Sequence, residues 1–447
     1  MLRLILVFMI IAAGSFASIF SPFYALLFYL WNAYFRPDDW TYGGLIASLN
    51  LSFLIGAYLV LATAFSRPRF RVGIRIGLLA LFFADTLFSA MQSEHFYYSW
   101  SSWIEFSKVL IVSYVIILLA NDRTRFRYVL LIIAISLGFE CAKQGWAQLY
   151  RAPGAQNNNP IPFLGDNNGV AVGTMMLVPI LSALAQTATR KWEAFGHRFA
   201  LIGVFLRGIT TYSRGGFLAA GVLGIFSLAR SRKKVRAFVG AAVIGGIVLT
   251  IMPQQFWDKM NTMNASESEL DDSAAGRLHF WVIARDMADA KPFTGVGFNA
   301  YNLSYETYNH PTQYGEFNGA RSVHSIWFGV LSELGYPGFV LFIALFGSSV
   351  WSLWSTSRKV RNDPEKQDIR IYANALLTSL VTFAVGGTFL PLQYNEMFWH
   401  FMALGMTLRF LAQEQVSEVT APVMAPVPKP APFQPAFLNA TRSTLPK

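Results

Sequence analysis

Thirteen apolar stretches, separated mostly by short polar or basic connections, leave this chain few ways to fold. They run over 3–20, 22–35, 44–65, 74–93, 103–120, 128–149, 169–187, 199–212, 214–229, 237–252, 336–356, 370–389 and 397–412. A helix crosses a bilayer in about 20 residues. Within hydrocarbon, only structures that satisfy their own backbone hydrogen bonds can span. We therefore read the chain as an all-α, polytopic integral membrane protein with about 12–13 transmembrane helices, the first two short or half-inserted. Composition agrees, since 54% of the 447 residues are hydrophobic and only 14% charged, against about 25% charged in soluble domains. The apolar N-terminus shows no clear cleavage site and reads as a retained membrane segment.

The net charge of +11 suggests nucleic acid only if its distribution is ignored. The connections 66–75, 121–127, 188–198, 230–236 and 357–370 hold 20 Lys and Arg; the alternating ones, 36–43, 94–102, 150–168 and 389–396, hold Arg36 and Arg151 alone. That asymmetry is a topology signal. It places the basic set in the cytoplasm and the segment 253–322 on the outer side. The single cysteine, Cys141, excludes an internal disulfide.

Four regions follow: transmembrane helices over 1–252, a large outer loop with helices over 253–335, transmembrane helices over 336–412, and a Pro-rich cytoplasmic tail over 413–447 expected to be disordered. In the loop, Ser273 is expected to cap a helix that Lys291-Pro292 ends. A second helix is expected from His324 to Leu334, broken at Gly335-Tyr336-Pro337-Gly338.

Three outer-side features carry possible chemistry. Tyr212-Ser213-Arg214-Gly215-Gly216 places an arginine near membrane depth, where it either snorkels to headgroups or clamps an anion. In the second reading the two glycines let a phosphate approach the backbone. Arg277, near a helix start, suits a phosphate through its bidentate fork, or pairs with Asp271 or Asp272. Arg321-Ser322-Val323-His324-Ser325 offers a general base, unless His324 is a plain cap. No second His stands at metal-ligand spacing from it, so neither a metal nor any other cofactor is expected. Among intramembrane charges, Glu140 and Lys143, and Glu105 and Lys108, stand three apart and can pair; Asp85 and Arg207 also fall in apolar runs.

These stretches resemble the O-antigen ligase and polymerase superfamily of bacterial envelope glycosyltransferases. The likeness rests on Thr211 to Gly216, on Gly276-Arg277 with Trp281 and Pro292 to Phe298, and on His324 to Gly338. Lys143-Gln144-Gly145, Phe163 to Ala171 with Pro179, and Tyr34-Phe35-Arg36-Pro37 resemble a narrower branch, the O-glycosylation ligases associated with exosortase systems. One departure is Ser325, where many superfamily members carry Asn.

The resemblance implies metal-independent, inverting transfer of a glycan from undecaprenyl diphosphate to an acceptor hydroxyl. Arg214 and Arg277 would hold the diphosphate and His324 would activate the acceptor. Arg321, Asn168, Asp166 and Lys143 are candidate substrate contacts. The acceptor is a lipid, a protein or another glycan, the last making a polymerase. A lipid-linked oligosaccharide flippase or transporter is the alternative of another class, but the internal repeats usual in such folds are missing here.

Overall fold

The computed structural model describes residues 2–40, 50–151, 156–230, 234–251, 257, 272–319 and 321–419. Its helices are α1 (Leu2–Phe20), α2 (Pro22–Phe35), α3 (Pro37–Trp40), α4 (Leu51–Phe65), α5 (Ile74–Met91), α6 (Phe96–Leu119), α7 (Arg123–Ala147) and α8 (Asn167–Gln186). They continue as α9 (Lys191–Ile209), α10 (Arg214–Arg230), α11 (Lys234–Ile251), α12 (Asp272–Ala290), α13 (Tyr301–Tyr308), α14 (Ile326–Lys359), α15 (Gln367–Gly387) and α16 (Glu396–Val419). Among the described residues there is no β-strand, only the isolated bridges Ile161–Gly165 and Thr312–Gly315.

The protein is an all-α polytopic membrane protein, and the expected apolar runs are helices. Among the described residues, five segments are both long and apolar enough to cross a bilayer by themselves: Ile74–Met91, Phe96–Leu119, Asn167–Gln186, Ile326–Lys359 and Pro364–Gly387. Other runs are shorter, as in α2 and α4, or more polar, as in α7. Helix α7 carries Arg123, Arg125, Arg127, Glu140 and Lys143. The two expected charge pairs form, Lys143–Glu140 and Lys108–Glu105, each at 2.6 Å.

Helix α8 lies at the centre, packed against α7, α9, α10 and α15. Asp166 starts it, its carboxylate accepting from the Gly169 amide at 2.8 Å, as an N-cap should. Aromatic side chains fill the bundle beside it. Phe82 stacks on Trp399 at 5.0 Å and Phe383 on Phe398 at 4.2 Å. Such close contact matters in lipid, where dispersion between helices replaces much of the hydrophobic drive.

The long connection between α11 and α14 builds a small core of its own from Phe280, Ile283, Met287, Tyr301 and Tyr305. Helix α12 begins at Asp272, one residue before the expected cap, and ends at Ala290 ahead of Lys291-Pro292. The expected second loop helix starts at Ile326 and is continuous with the following span except at Gly335 (φ 69°, ψ −168°), where it kinks. The last helix runs to Val419, past the expected limit at 412, and the rest of the Pro-rich tail lies outside the described residues.

Candidate functional site

Three helix starts and one loop helix meet at one end of the bundle. The first start is the turn after α9. The Thr211 carbonyl accepts from the side-chain amides of Gln156 (2.9 Å) and Asn167 (2.8 Å). Tyr212 then takes a left-handed conformation (φ 53°), and Ser213 accepts from the Gly216 amide at 3.4 Å. Arg214 is thereby the first residue of α10. The bond to Asn167 sets this turn beside the start of α8, where Asp166 stands.

Gly215 and Gly216 face neighbouring helices. A Cβ on Gly216 would lie 2.6 Å from the Ala171 Cβ, and one on Gly215 3.6 Å from the Gly386 carbonyl. Gly216 therefore lets α10 close on α8, whereas a side chain at Gly215 would meet only ordinary contact with the end of α15.

The next residue of α15, Gly387, packs under Ile326, the first residue of α14. Trp327 donates to the Thr388 hydroxyl at 3.0 Å, fixing this start to the same corner. Just ahead of it, His324 adopts φ 48°. A non-glycine residue there is uncommon, although histidine is among the enriched types, and such strain concentrates at functional sites.

Helix α12 closes the site. Trp281 donates through its indole N–H to the Val323 carbonyl at 3.1 Å and stacks on Phe328 at 5.2 Å. Arg277 lies one turn before Trp281 on the same face. The alternative partners weighed for it fall outside the description: Asp271 entirely, Asp272 in its side chain.

Electrostatics joins these parts. The imidazole of His324 is held below the ordinary histidine range, first by burial, then by the charge of Arg277, with Arg321 acting the same way and Asp166 opposing. Arg277, Arg321 and Asp166 thus all bear on His324. Its ring makes no hydrogen bond with the described residues, whereas four other histidines are engaged. His279 bonds Thr312, Tyr305 and Asn309; His310 bonds Asp286; His400 bonds Tyr34; His197 faces Glu193.

Asn168 approaches the second oxygen of Asp166 at 3.5 Å. Lys143 is held elsewhere: its ammonium bonds Glu140 and lies 5.9 Å from the Trp40 ring, and none of its described contacts is with the His324 group. Among the described residues no cluster of three or more His, Cys, Asp or Glu side chains could hold a metal ion.

Arg207, within an apolar run and fully buried, has a role that sequence did not disclose. Its guanidinium donates to the Gln144 side chain (3.0 Å) and to the carbonyls of Asn157 (3.1 Å) and Asn159 (2.6 Å). It straps the 156–159 segment down beside Thr211. The signal was the polar run Gln156-Asn157-Asn158-Asn159 between two apolar stretches.

Residues 199–343, from the middle of α9 to the first half of α14, match the family model described as O-antigen ligase. Residues 199–343 thus form an O-antigen ligase domain. Within this ligase domain fall Arg214, Arg277, Arg321 and His324. A second model, described as a family of unknown function, matches residues 1–188 and takes in Lys143, Asp166 and Asn168. No curated protein matches the chain. The candidate site thus draws Asp166 from one matched region and its histidine and arginines from the other.

Proposed function

We propose that this protein transfers a glycan from undecaprenyl diphosphate to an acceptor hydroxyl at the outer face of the inner membrane. The observation that carries the reading is the half-buried His324, whose ring makes no hydrogen bond with the described residues and on which Arg277, Arg321 and Asp166 act. A base for hydroxyl attack must be neutral, and burial beside guanidinium groups favours neutral imidazole.

In the proposed step the acceptor hydroxyl gives its proton to His324 as its oxygen bonds to the anomeric carbon. The bond from that carbon to the diphosphate oxygen breaks, and the electron pair leaves on the diphosphate. Attack opposite the leaving group inverts the centre. Arg277 and Arg214 stabilise the charge developing on the diphosphate, each worth about 2–4 kcal/mol if it acts like other preorganised groups. The base supplies roughly 10²–10⁴-fold. Asp166 steadies the imidazolium that forms, and Arg321 and Asn168 border the substrate. No step calls for a metal ion. Lys143 is assigned a place along the glycan, away from the reacting carbon.

The test is reconstitution in proteoliposomes with an undecaprenyl diphosphate-linked glycan and lipid A core, protein or glycan acceptors. Transfer by the wild type, lost by at least about 100-fold in His324→Ala, supports the reading. Full transfer by His324→Ala or Arg277→Ala overturns it, as does movement of the intact lipid-linked glycan across the bilayer without transfer. The acceptor consumed distinguishes ligase from polymerase, and transfer to protein is the outcome expected of an exosortase-associated O-glycosylation ligase.

A further inference from the structure

A second polar site lies at the same end of the bundle, in the region matched only by the family of unknown function. It is a cleft of about 190 Å³ between the ends of α2 and α4 and the flank of α6, lined by Asn32, Asp38, Asn50, Ser52, Phe53 and Lys108. Drug-sized ligands occupy roughly 300–1,000 Å³, so this cleft suits a single small ring.

Two features mark it as more than a gap between helices. Asn50 stands at the start of α4 in a left-handed conformation (φ 46°), yet its side chain makes no capping hydrogen bond. The strain is held without the usual local return. Lys108 lies twelve residues into an apolar candidate span, where charge is costly. Its partner Glu105 is on the same helix, and the two side chains are 39% and 72% exposed. A pair within one helix and this open glues no neighbours together.

The chemistry of the lining selects the ligand. Asn32, buried and bonded to Ser52 at 2.8 Å, brings an amide and a hydroxyl, and Asn50 a second amide. Asp38 accepts, Lys108 donates, and Phe53 gives an apolar wall. One cation beside two carboxylates disfavours phosphate, while donors and acceptors set around an apolar face match a neutral sugar ring. Ring contacts lead from the neighbourhood of the cleft toward the site already described. Beyond Asn32 on the same helix, Tyr34 packs on Phe163 at 4.4 Å, and Arg36 lies 6.0 Å from that ring. Phe163 belongs to the hairpin that delivers Asp166.

We propose that this cleft is a glycan subsite that binds one neutral sugar residue remote from the reacting carbon, on either the donor or the acceptor chain. The assignment of that sugar to a transfer substrate rests on the proposed function.

The test uses full-length protein in nanodiscs and the neutral oligosaccharide released by mild acid from the source cell's lipid-linked glycans. Saturation-transfer NMR should detect binding. Asn50→Gly, which keeps the backbone conformation and removes the amide, should weaken it about fivefold, one hydrogen bond's worth. Asp38→Ala should act in the same direction. In proteoliposomes the same variants should raise KM for whichever substrate carries the sugar, donor or acceptor, with kcat unchanged. No oligosaccharide binding, binding indifferent to both variants, or displacement by equimolar inorganic phosphate overturns the subsite. Asn50-dependent binding without any transfer by the wild type would leave the cleft standing and remove the proposed reaction. Transfer with no Asn50 dependence does the reverse.

Discussion

The indole of Trp281 donates to the carbonyl of Val323, the residue before His324, and so ties the loop helix carrying Arg277 to the strained backbone that presents the imidazole. Trp281→Phe keeps an aromatic face for Phe328 and deletes the donor. It should cost about 1 kcal/mol locally and lower kcat more than it raises KM, because the groups it aligns act during the reaction. Amide hydrogen exchange over 321–327 should rise in step. Unchanged exchange and kcat would show that the bond aligns nothing.

The pH profile follows from the direction of the His324 shift. Burial, Arg277 and Arg321 lower its pKa and Asp166 raises it, so the acid limb of kcat/KM should fall below the ordinary value of about 6.5. Arg321→Gln removes a repelling charge and should move that limb upward; Asp166→Asn should move it further down. The unfolded chain binds this proton more readily than the folded one. The group's contribution to stability is therefore lost as pH falls below its ordinary value. A limb unmoved by both variants would exclude His324 as the titrating base.

Arg207 should behave as a positioning residue. Arg207→Met leaves the carbonyls of Asn157 and Asn159 and the Gln144 amide without their donor. The expected loss is about 3 kcal/mol in thermal unfolding. Arg207→Lys, which keeps charge but not the planar fork, should recover part of the stability and little of the activity. Full activity in the lysine variant would contradict the strap.

Gly335 is the hinge of α14. Its φ of 69° is left-handed, and a Cβ there would lie 2.5 Å from the Pro292 carbonyl. Gly335→Ala should destabilise by about 1–3 kcal/mol and abolish transfer, read by thermal unfolding in detergent and the proteoliposome assay. A variant as stable as wild type would mean the kink is not required.

Much of this was legible before any coordinates. Apolar run length located the helices, because the bilayer imposes that length on sequence. The i, i+3 spacing gave the Glu140–Lys143 and Glu105–Lys108 pairs, and Gly335-Tyr336-Pro337-Gly338 gave the kink. Contacts across the fold were not legible. Asp166 acts on His324 from 158 residues away, and no local pattern encodes that. The close approach of Gly216 to Ala171 was not legible, because a glycine looks the same in sequence whether it admits a phosphate or a neighbouring helix. Arg207 hid its role because its partners include backbone carbonyls, which every residue carries. The extension of α16 to Val419 was missed since a helix can outrun its apolar stretch.

Helices α8, α10 and α14 all begin at the corner where Asp166, Arg214 and His324 stand. Each start carries the positive end of a helix dipole, roughly half a unit charge. Their sum is written into the main chain, so no side-chain replacement can delete it. Neutralising one guanidinium therefore leaves a residual attraction for an anionic leaving group, and single arginine variants should weaken its hold in a graded manner without erasing it.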